Sequence, residues 1–135
     1  MIDPANMPDV AGDELLARFV LFSKHIRNDR TLKPDAFMPH PYRELSVTRH
    51  LSATSDELWA VGQAVAEERA LTLHGRGDFA ASVCQQQGLT IEVAPLANNP
   101  NHADVTGWPA GKPEQKIKAQ EIAAASKFVS VEPPV

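Results

Sequence analysis

Residues 44–69 read ELSVTRHLSATSDELWAVGQAVAEER, and this stretch decides the fold class. Apolar and polar residues alternate over 44–51, which predicts a strand with one buried face. Thr54 follows, with Glu57 three residues later, and this spacing is typical of a capping box at a helix start. Apolar residues then recur at helical spacing, at Leu58, Val61 and Val65. The stretch therefore predicts a strand followed directly by a helix that ends near Arg69.

Upstream of this stretch, the sequence predicts a second strand and two irregular segments. Residues 15–22, LLARFVLF, are apolar on both parities, which is typical of a strand covered on both faces; a short helix is the alternative. Residues 23–43 contain three prolines and no sustained period, so we expect a long connection. Long connections in small domains often carry function. Residues 1–12 are predicted to form an irregular arm.

Downstream, glycine residues mark the predicted element boundaries. A short strand is expected at 70–73, followed by a turn at Gly75-Arg76-Gly77. Asp78 is expected to cap a second helix that runs through Gln87, and Gly88 is expected to end it in the left-handed conformation.

The last third of the chain contains a strand, a loop and a helix by the same criteria. Residues 89–94 alternate as a strand, whereas 95–111 form a second long loop with one short extended piece at 104–108. Pro113 is suited to the first turn of a last helix, which is expected to end near Ser126.

Together these elements predict an α+β fold with about four strands in a mixed sheet and three helices, mainly on one face. Residues 70–94 could alternatively form one parallel βαβ unit. The predicted organisation is an N-terminal arm at 1–12, one domain at 13–128 and a C-terminal tail at 129–135.

Composition places the chain among small globular proteins of one domain. It has 135 residues, 43% of them hydrophobic and 22% charged. The longest apolar run, Phe19–Phe22, is far short of the ~20 residues that cross a bilayer, so no membrane association is expected. The acidic N-terminus is unlike a signal peptide, and the single cysteine, Cys84, suits a reducing compartment. We therefore expect a cytoplasmic protein.

Charge is distributed unevenly along the chain. The net charge is −4, yet the segment from Lys24 to Arg49 has six Lys or Arg residues against three acidic ones. A local basic segment on an acidic protein favours a confined anionic partner, although a solvated loop of mixed charges is an equally simple interpretation.

Arg49 is the most informative candidate for a site. Alternation places it on the apolar face of its strand, with Leu45 and Val47. A buried guanidinium requires a carboxylate, carbonyl groups or a bound anion, because an unpaired buried charge costs several kcal/mol. We take Arg49 and the adjacent His50 as ligand-binding candidates; the alternatives for Arg49 are a structural ion pair or a charge that extends into solvent.

Arg76 is the second candidate for anion binding. It lies between two glycines just before a predicted helix start, where free amide groups and a guanidinium together suit a phosphate or carboxylate. The spacing matches neither known glycine-rich phosphate motif, so a plain turn is the simpler alternative.

The loop at 95–111 contains the remaining candidates. Prolines and asparagines restrict its conformation, so His102 beside Asp104 is a candidate general acid or base. Trp108 is a candidate for stacking on a ligand, with anchoring of the loop on the core as the alternative. Five histidines occur without metal-ligand spacing, and neither a metal nor another cofactor is predicted.

Two hypotheses of function follow, and neither decides whether the protein is an enzyme. The first is a domain that binds a phosphate-bearing ligand, either a nucleotide or RNA, with acid–base chemistry from a histidine. It requires Arg49, Arg76 and His102 to converge. The second is a non-catalytic module that binds another protein, such as an accessory or antitoxin-like subunit. A large exposed apolar patch would favour the second hypothesis.

Overall fold

The computed structural model describes residues 7–39 and 43–131 and shows an α+β fold. Its strands are β1 Leu15–Val20, β2 Leu45–Arg49, β3 Gly75–Ala80, β4 Thr90–Val93, β5 His102–Thr106 and β6 Lys127–Ser130. Its helices are α1 Ser55–Glu68, α2 Ala81–Gln86 and α3 Lys112–Ala125, with short 3₁₀ helices at Ser23–His25 and Pro34–Phe37.

The six strands form one sheet in the order β4-β5-β2-β1-β3-β6, and neighbouring strands are antiparallel at every pairing. The predicted sheet of about four mixed strands is therefore wrong. The parallel βαβ alternative for 70–94 is also wrong, because β3 pairs with β1 and β6 and not with β4.

One face of the sheet carries the main core. Side chains that pair across strands share a face, so the register places Leu16, Val47 and Phe79 on the same side. This side packs against α2, α3 and the 3₁₀ helix Pro34–Phe37. The buried apolar residues of this core include Leu16, Val20, Leu32, Phe37, Leu45, Val47, Phe79, Val105, Trp108 and Ile122.

The opposite face is more polar and carries α1. Phe19 of β1 lies so close to Gly62 of α1 that a Cβ atom on Gly62 would be 2.7 Å from the phenyl ring. The guanidinium of Arg76, which pairs with Phe19 in the register, stacks on Trp59 of α1. The helices therefore lie on both faces of the sheet, and the expectation that they lie mainly on one face needs this correction.

The capping box at the start of α1 is confirmed. The Thr54 hydroxyl accepts a hydrogen bond from the Glu57 amide, and the Glu57 carboxylate accepts one from the Thr54 amide, each at 3.1 Å. These bonds satisfy backbone donors that a helix start otherwise leaves free, so local sequence alone fixes this boundary.

The predicted turn at Gly75-Arg76-Gly77 is wrong, since these residues open β3, which lies between β1 and the edge strand β6. Packing explains the glycines: a Cβ atom on Gly77 would be 2.6 Å from Leu32 Cδ1 and 2.9 Å from Phe37 Cζ. The residues are small because core side chains approach the backbone closely, and no turn is needed. Asp78 consequently lies within the strand, and Ala80 precedes the first residue of α2.

Two strands lie where loops or a tail were expected. β5 occupies part of the predicted loop at 95–111, and β6 extends into the predicted tail at 129–135. Both strands are short, and each pairs with a strand far away in the sequence, β5 with β2 and β6 with β3, although β5 also pairs with the preceding strand β4. Local alternation therefore gives little signal for them. Residues 1–6 of the predicted arm, 40–42 of the long connection and 132–135 of the tail lie outside the described residues.

Candidate functional site

A large cavity lies where β1 and β2 separate. These strands pair at only two positions, Leu16 with Arg49 and Ala17 with Thr48, although β1 pairs with β3 along its whole length. A cavity of about 690 Å³ lies at this point. Its walls come from β1, β2, α1, both 3₁₀ segments and the loop before β5.

The guanidinium of Arg18 lies in this cavity and is held by two backbone carbonyls. Nε donates to the Ala36 carbonyl at 3.1 Å, and Nη1 donates to the Ser46 carbonyl at 3.0 Å. Nη2 has no hydrogen-bond partner among the described residues. The carbonyls fix the plane of the group and leave one edge available to a ligand.

The charge of Arg18 has no carboxylate partner within residues 7–39 and 43–131. No described carboxylate oxygen lies within 4.0 Å of this guanidinium or of Arg69, which also lines the cavity at the end of α1. Burial, together with the neighbouring charge of Arg69, lowers the pKa of Arg18 to about 10. Because this value is well above 7, Arg18 is a cation at neutral pH.

His25 lies in this part of the cavity, where burial and charges of both signs act on its pKa. Burial is the main cause that lowers its pKa from 6.5, and the charges of Lys24, Arg18 and Lys33 act in the same direction. Asp35 opposes them by raising the pKa of His25. His25 is therefore a neutral imidazole at pH 7, beside three cations and one carboxylate.

Apolar side chains form much of the remaining wall, and two carboxylates complete the lining. The apolar residues are Phe19, Leu21, Phe22, Met38, Val61, Val65 and Leu96. Asp35 and Glu68 also line the cavity, and both residues are exposed. The cavity thus combines an apolar wall with a half-buried cation and acidic groups that are open to solvent.

His102 also lines the cavity, and its ring is oriented by the backbone. Nδ1 lies 2.9 Å from the Ala94 carbonyl, which can only accept, so Nδ1 carries the proton. In the neutral ring, Nε2 is then the proton acceptor. Nε2 lies 3.6 Å from Asp104 Oδ1, and that oxygen accepts a hydrogen bond from the Ser46 hydroxyl at 3.4 Å. His102 and Asp104 are therefore neighbours, as their spacing on β5 requires.

The donors of Arg49 are used within the protein. Its side chain is fully buried and forms two bonds to the Glu14 carboxylate, Nε to Oε2 at 2.6 Å and Nη2 to Oε1 at 2.7 Å. Nη1 donates to the Pro8 carbonyl at 2.8 Å, and Nη2 also reaches the Asp9 carbonyl at 3.3 Å. The structure thus shows the structural ion pair, which attaches the N-terminal arm to β2.

Arg76 and His50 meet at Asp78 on the opposite face of the sheet. Arg76 Nε donates to Asp78 Oδ1 at 3.1 Å, and His50 Nε2 lies 3.0 Å from the same oxygen. The Arg76 guanidinium stacks on the Trp59 ring at 4.5 Å, and its buried Nη1 has no hydrogen-bond partner in the part of the chain that the structure describes. Trp108 lies in the core, where its indole nitrogen donates to the Val105 carbonyl at 2.9 Å.

The sheet therefore separates the residues that the sequence suggested should converge. Arg49 lies on the face of the main core, whereas Arg76 and His102 lie on the face that carries α1. Of the six candidates, His102 alone lines the large cavity. Sequence reasoning missed Arg18 and Arg69. A signal existed for Arg18, because it interrupts the apolar run at 15–22 in the way that Arg49 interrupts its strand.

The described residues contain neither a candidate metal site nor a candidate membrane-spanning helix. Within residues 7–39 and 43–131, no three His, Cys, Asp or Glu side chains are grouped to hold a metal ion. Among the helices of this part of the chain, none combines the length and apolar character needed for a bilayer crossing. No family model, curated protein or solved structure matches the chain.

Proposed function

We propose that the protein binds a small molecule with a phosphate group in the cavity between β1, β2 and α1. The observation that carries this proposal is the Arg18 guanidinium, a half-buried cation that lines the cavity and has no carboxylate partner among the described residues. A guanidinium in this situation gains most from an anion that accepts its free donors, and phosphate oxygens match its forked geometry. Arg69 supplies a second cation at the cavity wall.

The size and lining of the cavity favour a small molecule over an RNA strand. Its volume of about 690 Å³ falls within the range of ordinary small-molecule sites, about 300–1,000 Å³. Apolar walls with a few polar groups are also typical of such sites. Nucleotides fit this description, since they combine a phosphate with a flat and partly apolar base.

His102 extends the proposal to acid–base chemistry. Its neutral Nε2 accepts a proton from a bound molecule, and the nearby Asp104 carboxylate would then stabilise the imidazolium. Binding comes first in this proposal, and the acid–base step depends on a ligand that places a proton near Nε2.

Thermal shift and calorimetric titration test the binding proposal. The panel contains inorganic phosphate, a nucleoside monophosphate and a short RNA, because a ligand of the folded state raises its stability. Arg18→Gln and Arg69→Gln remove the two cavity cations, and Lys116→Gln removes an exposed cation on α3 that does not line the cavity. A hydrogen bond to a charged group contributes about 1.5–3 kcal/mol, so Arg18→Gln is expected to weaken phosphate-ligand binding about tenfold to a hundredfold.

Three outcomes decide the proposal. Binding that Arg18→Gln and Arg69→Gln weaken and Lys116→Gln leaves intact supports it. Binding of RNA without the mononucleotide would instead assign an extended surface. No ligand effect, or equal effects of all three variants, contradicts the cavity as an anion site. Arg18 also donates hydrogen bonds to two backbone carbonyls, so replacing it affects folding as well as binding. Arg69 is exposed, and Arg69→Gln therefore tests the loss of a cavity cation without that effect on folding.

The protein-interaction hypothesis finds no single surface among the described residues. The large exposed apolar side chains, Leu15, Leu96, Ile117 and Val131, belong to four different segments, and Leu96 is part of the cavity wall. Isolated exposed apolar residues are ordinary on protein surfaces.

A further inference from the structure

A second pocket adjoins the cavity along α1. It has a volume of about 230 Å³, and it shares Thr48, Val61 and Asn99 with the larger cavity. The residues that line only the second pocket are Leu51, Ser52, Ala53, Glu57, Leu58, Pro100 and Asn101. Since the two spaces share a boundary, we describe them together as the α1 groove.

The boundary between the two spaces is polar but internally satisfied. The Asn99 side-chain amide donates to the Thr48 hydroxyl at 3.0 Å, and both residues are buried. Because Thr48 and Asn99 bond to each other, a ligand needs no charged group at the middle of the groove. Beyond it, Leu51, Leu58 and Pro100 make the far end mainly apolar.

The cationic groups are confined to one end of the α1 groove, and among the described residues the carboxylate of Glu57 is the one charged group that lines the second pocket. Arg18 and Arg69 lie in the large cavity, whereas no Lys or Arg lines the second pocket among the described residues. The lining residues of α1 and its end run from Glu57 to Arg69, which corresponds to about 18 Å at 1.5 Å per residue. A molecule with a charged end and an apolar end matches both this polarity and this length.

We infer that the ligand is an elongated amphiphilic anion, with its phosphate at Arg18 and its apolar end in the second pocket beside Ala53 and Leu58. This inference rests on the proposed function, because it assigns the orientation and shape of the molecule bound at Arg18. It adds that affinity depends on an apolar body long enough to pass the Thr48–Asn99 pair.

Methyl, butyl and octyl phosphate test the inference as a matched series by calorimetric titration. A buried methylene is worth about fourfold in affinity, so octyl phosphate is expected to bind far more tightly than butyl phosphate. Ala53→Phe fills the second pocket and is expected to abolish the gain from butyl to octyl. Ala60→Phe is the matched control, because Ala60 is exposed on α1 and lines neither space. Melting curves without ligand check that both variants fold.

A second measurement needs no variant. Octyl phosphate with a nitroxide at its free end is expected to broaden the amide signals of residues 51–53 in the unaltered protein. Broadening elsewhere, or no gain from butyl to octyl, overturns the inference. A gain that persists in Ala53→Phe also overturns it.

These results separate the inference from the proposed function. If butyl and octyl phosphate bind equally and Arg18→Gln weakens both, the anion site stands and the amphiphilic ligand is rejected. If no member of the series binds in a way that depends on Arg18, both are rejected.

Discussion

Replacing Glu14 by alanine tests how much the buried ion pair between Glu14 and Arg49 stabilises the fold. The Arg49 side chain is fully buried and the Glu14 side chain is 11% exposed, and two bonds of 2.6 and 2.7 Å join them. The substitution removes the carboxylate and leaves the Arg49 charge in the core. The carbonyls of Pro8 and Asp9 remain as its hydrogen-bond acceptors.

The expected loss can be worked from this geometry. Removing one partner of a buried ion pair costs about 3–5 kcal/mol, because the remaining charge is uncompensated. Since two carbonyls still accept bonds from Arg49, we expect the lower end, about 3 kcal/mol. For a chain of this size, that corresponds to a fall in Tm of about 10 °C. Replacing both partners by apolar residues, Glu14→Leu with Arg49→Met, is expected to cost much less, because no charge remains buried.

Urea unfolding measures the effect, with the midpoint reporting stability and an unchanged slope confirming the same unfolding reaction. Asp13→Ala is the matched control, since Asp13 is the exposed acidic neighbour and forms no ion pair with a described residue. If Glu14→Ala is as stable as Asp13→Ala within about 1 kcal/mol, or if the double replacement is the less stable protein, the buried-charge argument is refuted.

Three further substitutions or treatments have defined outcomes. Gly77→Ala places a methyl group against Leu32 and Phe37, so urea unfolding is expected to show a loss of about 1–3 kcal/mol. Burial raises the pKa of Cys84 to about 12, so a thiol reagent at pH 7 is expected to react only after denaturant unfolds the chain; rapid reaction of the folded protein would contradict this. Burial lowers the pKa of His25 from 6.5, so the unfolded chain takes up a proton first. The resulting stability is present above pH 6.5 and is lost as the pH falls toward the lowered value, and His25→Gln is expected to flatten a Tm profile over that window.

The start of the first helix and the need of Arg49 for a partner could both be predicted from sequence. The helix start depends on residues within four positions, and a buried guanidinium requires a partner. A capping box satisfies backbone donors within four residues, so Thr54 and Glu57 define the start of α1 without tertiary information. Gly88 likewise adopts a positive φ of 76° after α2, as expected of a glycine at that position. Arg49 on an apolar face required a partner, although only the fold shows that Glu14 supplies it.

Strand β3 and the cavity could not be predicted from sequence, because both depend on contacts between distant segments. Gly75 and Gly77 resemble turn residues locally, yet the core packs too closely against β3 for a larger residue. The same applies to Arg18, whose position follows from the separation of β1 and β2 and from the Ala36 and Ser46 carbonyls. The interruption of the apolar run at 15–22 marks Arg18 itself, but the sequence around these residues does not indicate which distant segments they contact.

A crystal structure with butyl phosphate bound gives the most direct test of the central claim, that Arg18 holds an anion in the cavity. The account predicts a phosphate oxygen at about 2.7–2.9 Å from Arg18 Nη2, with the Ala36 and Ser46 carbonyls still accepting from Nε and Nη1. Phosphate at another site, with Arg18 contacting only solvent, would contradict it.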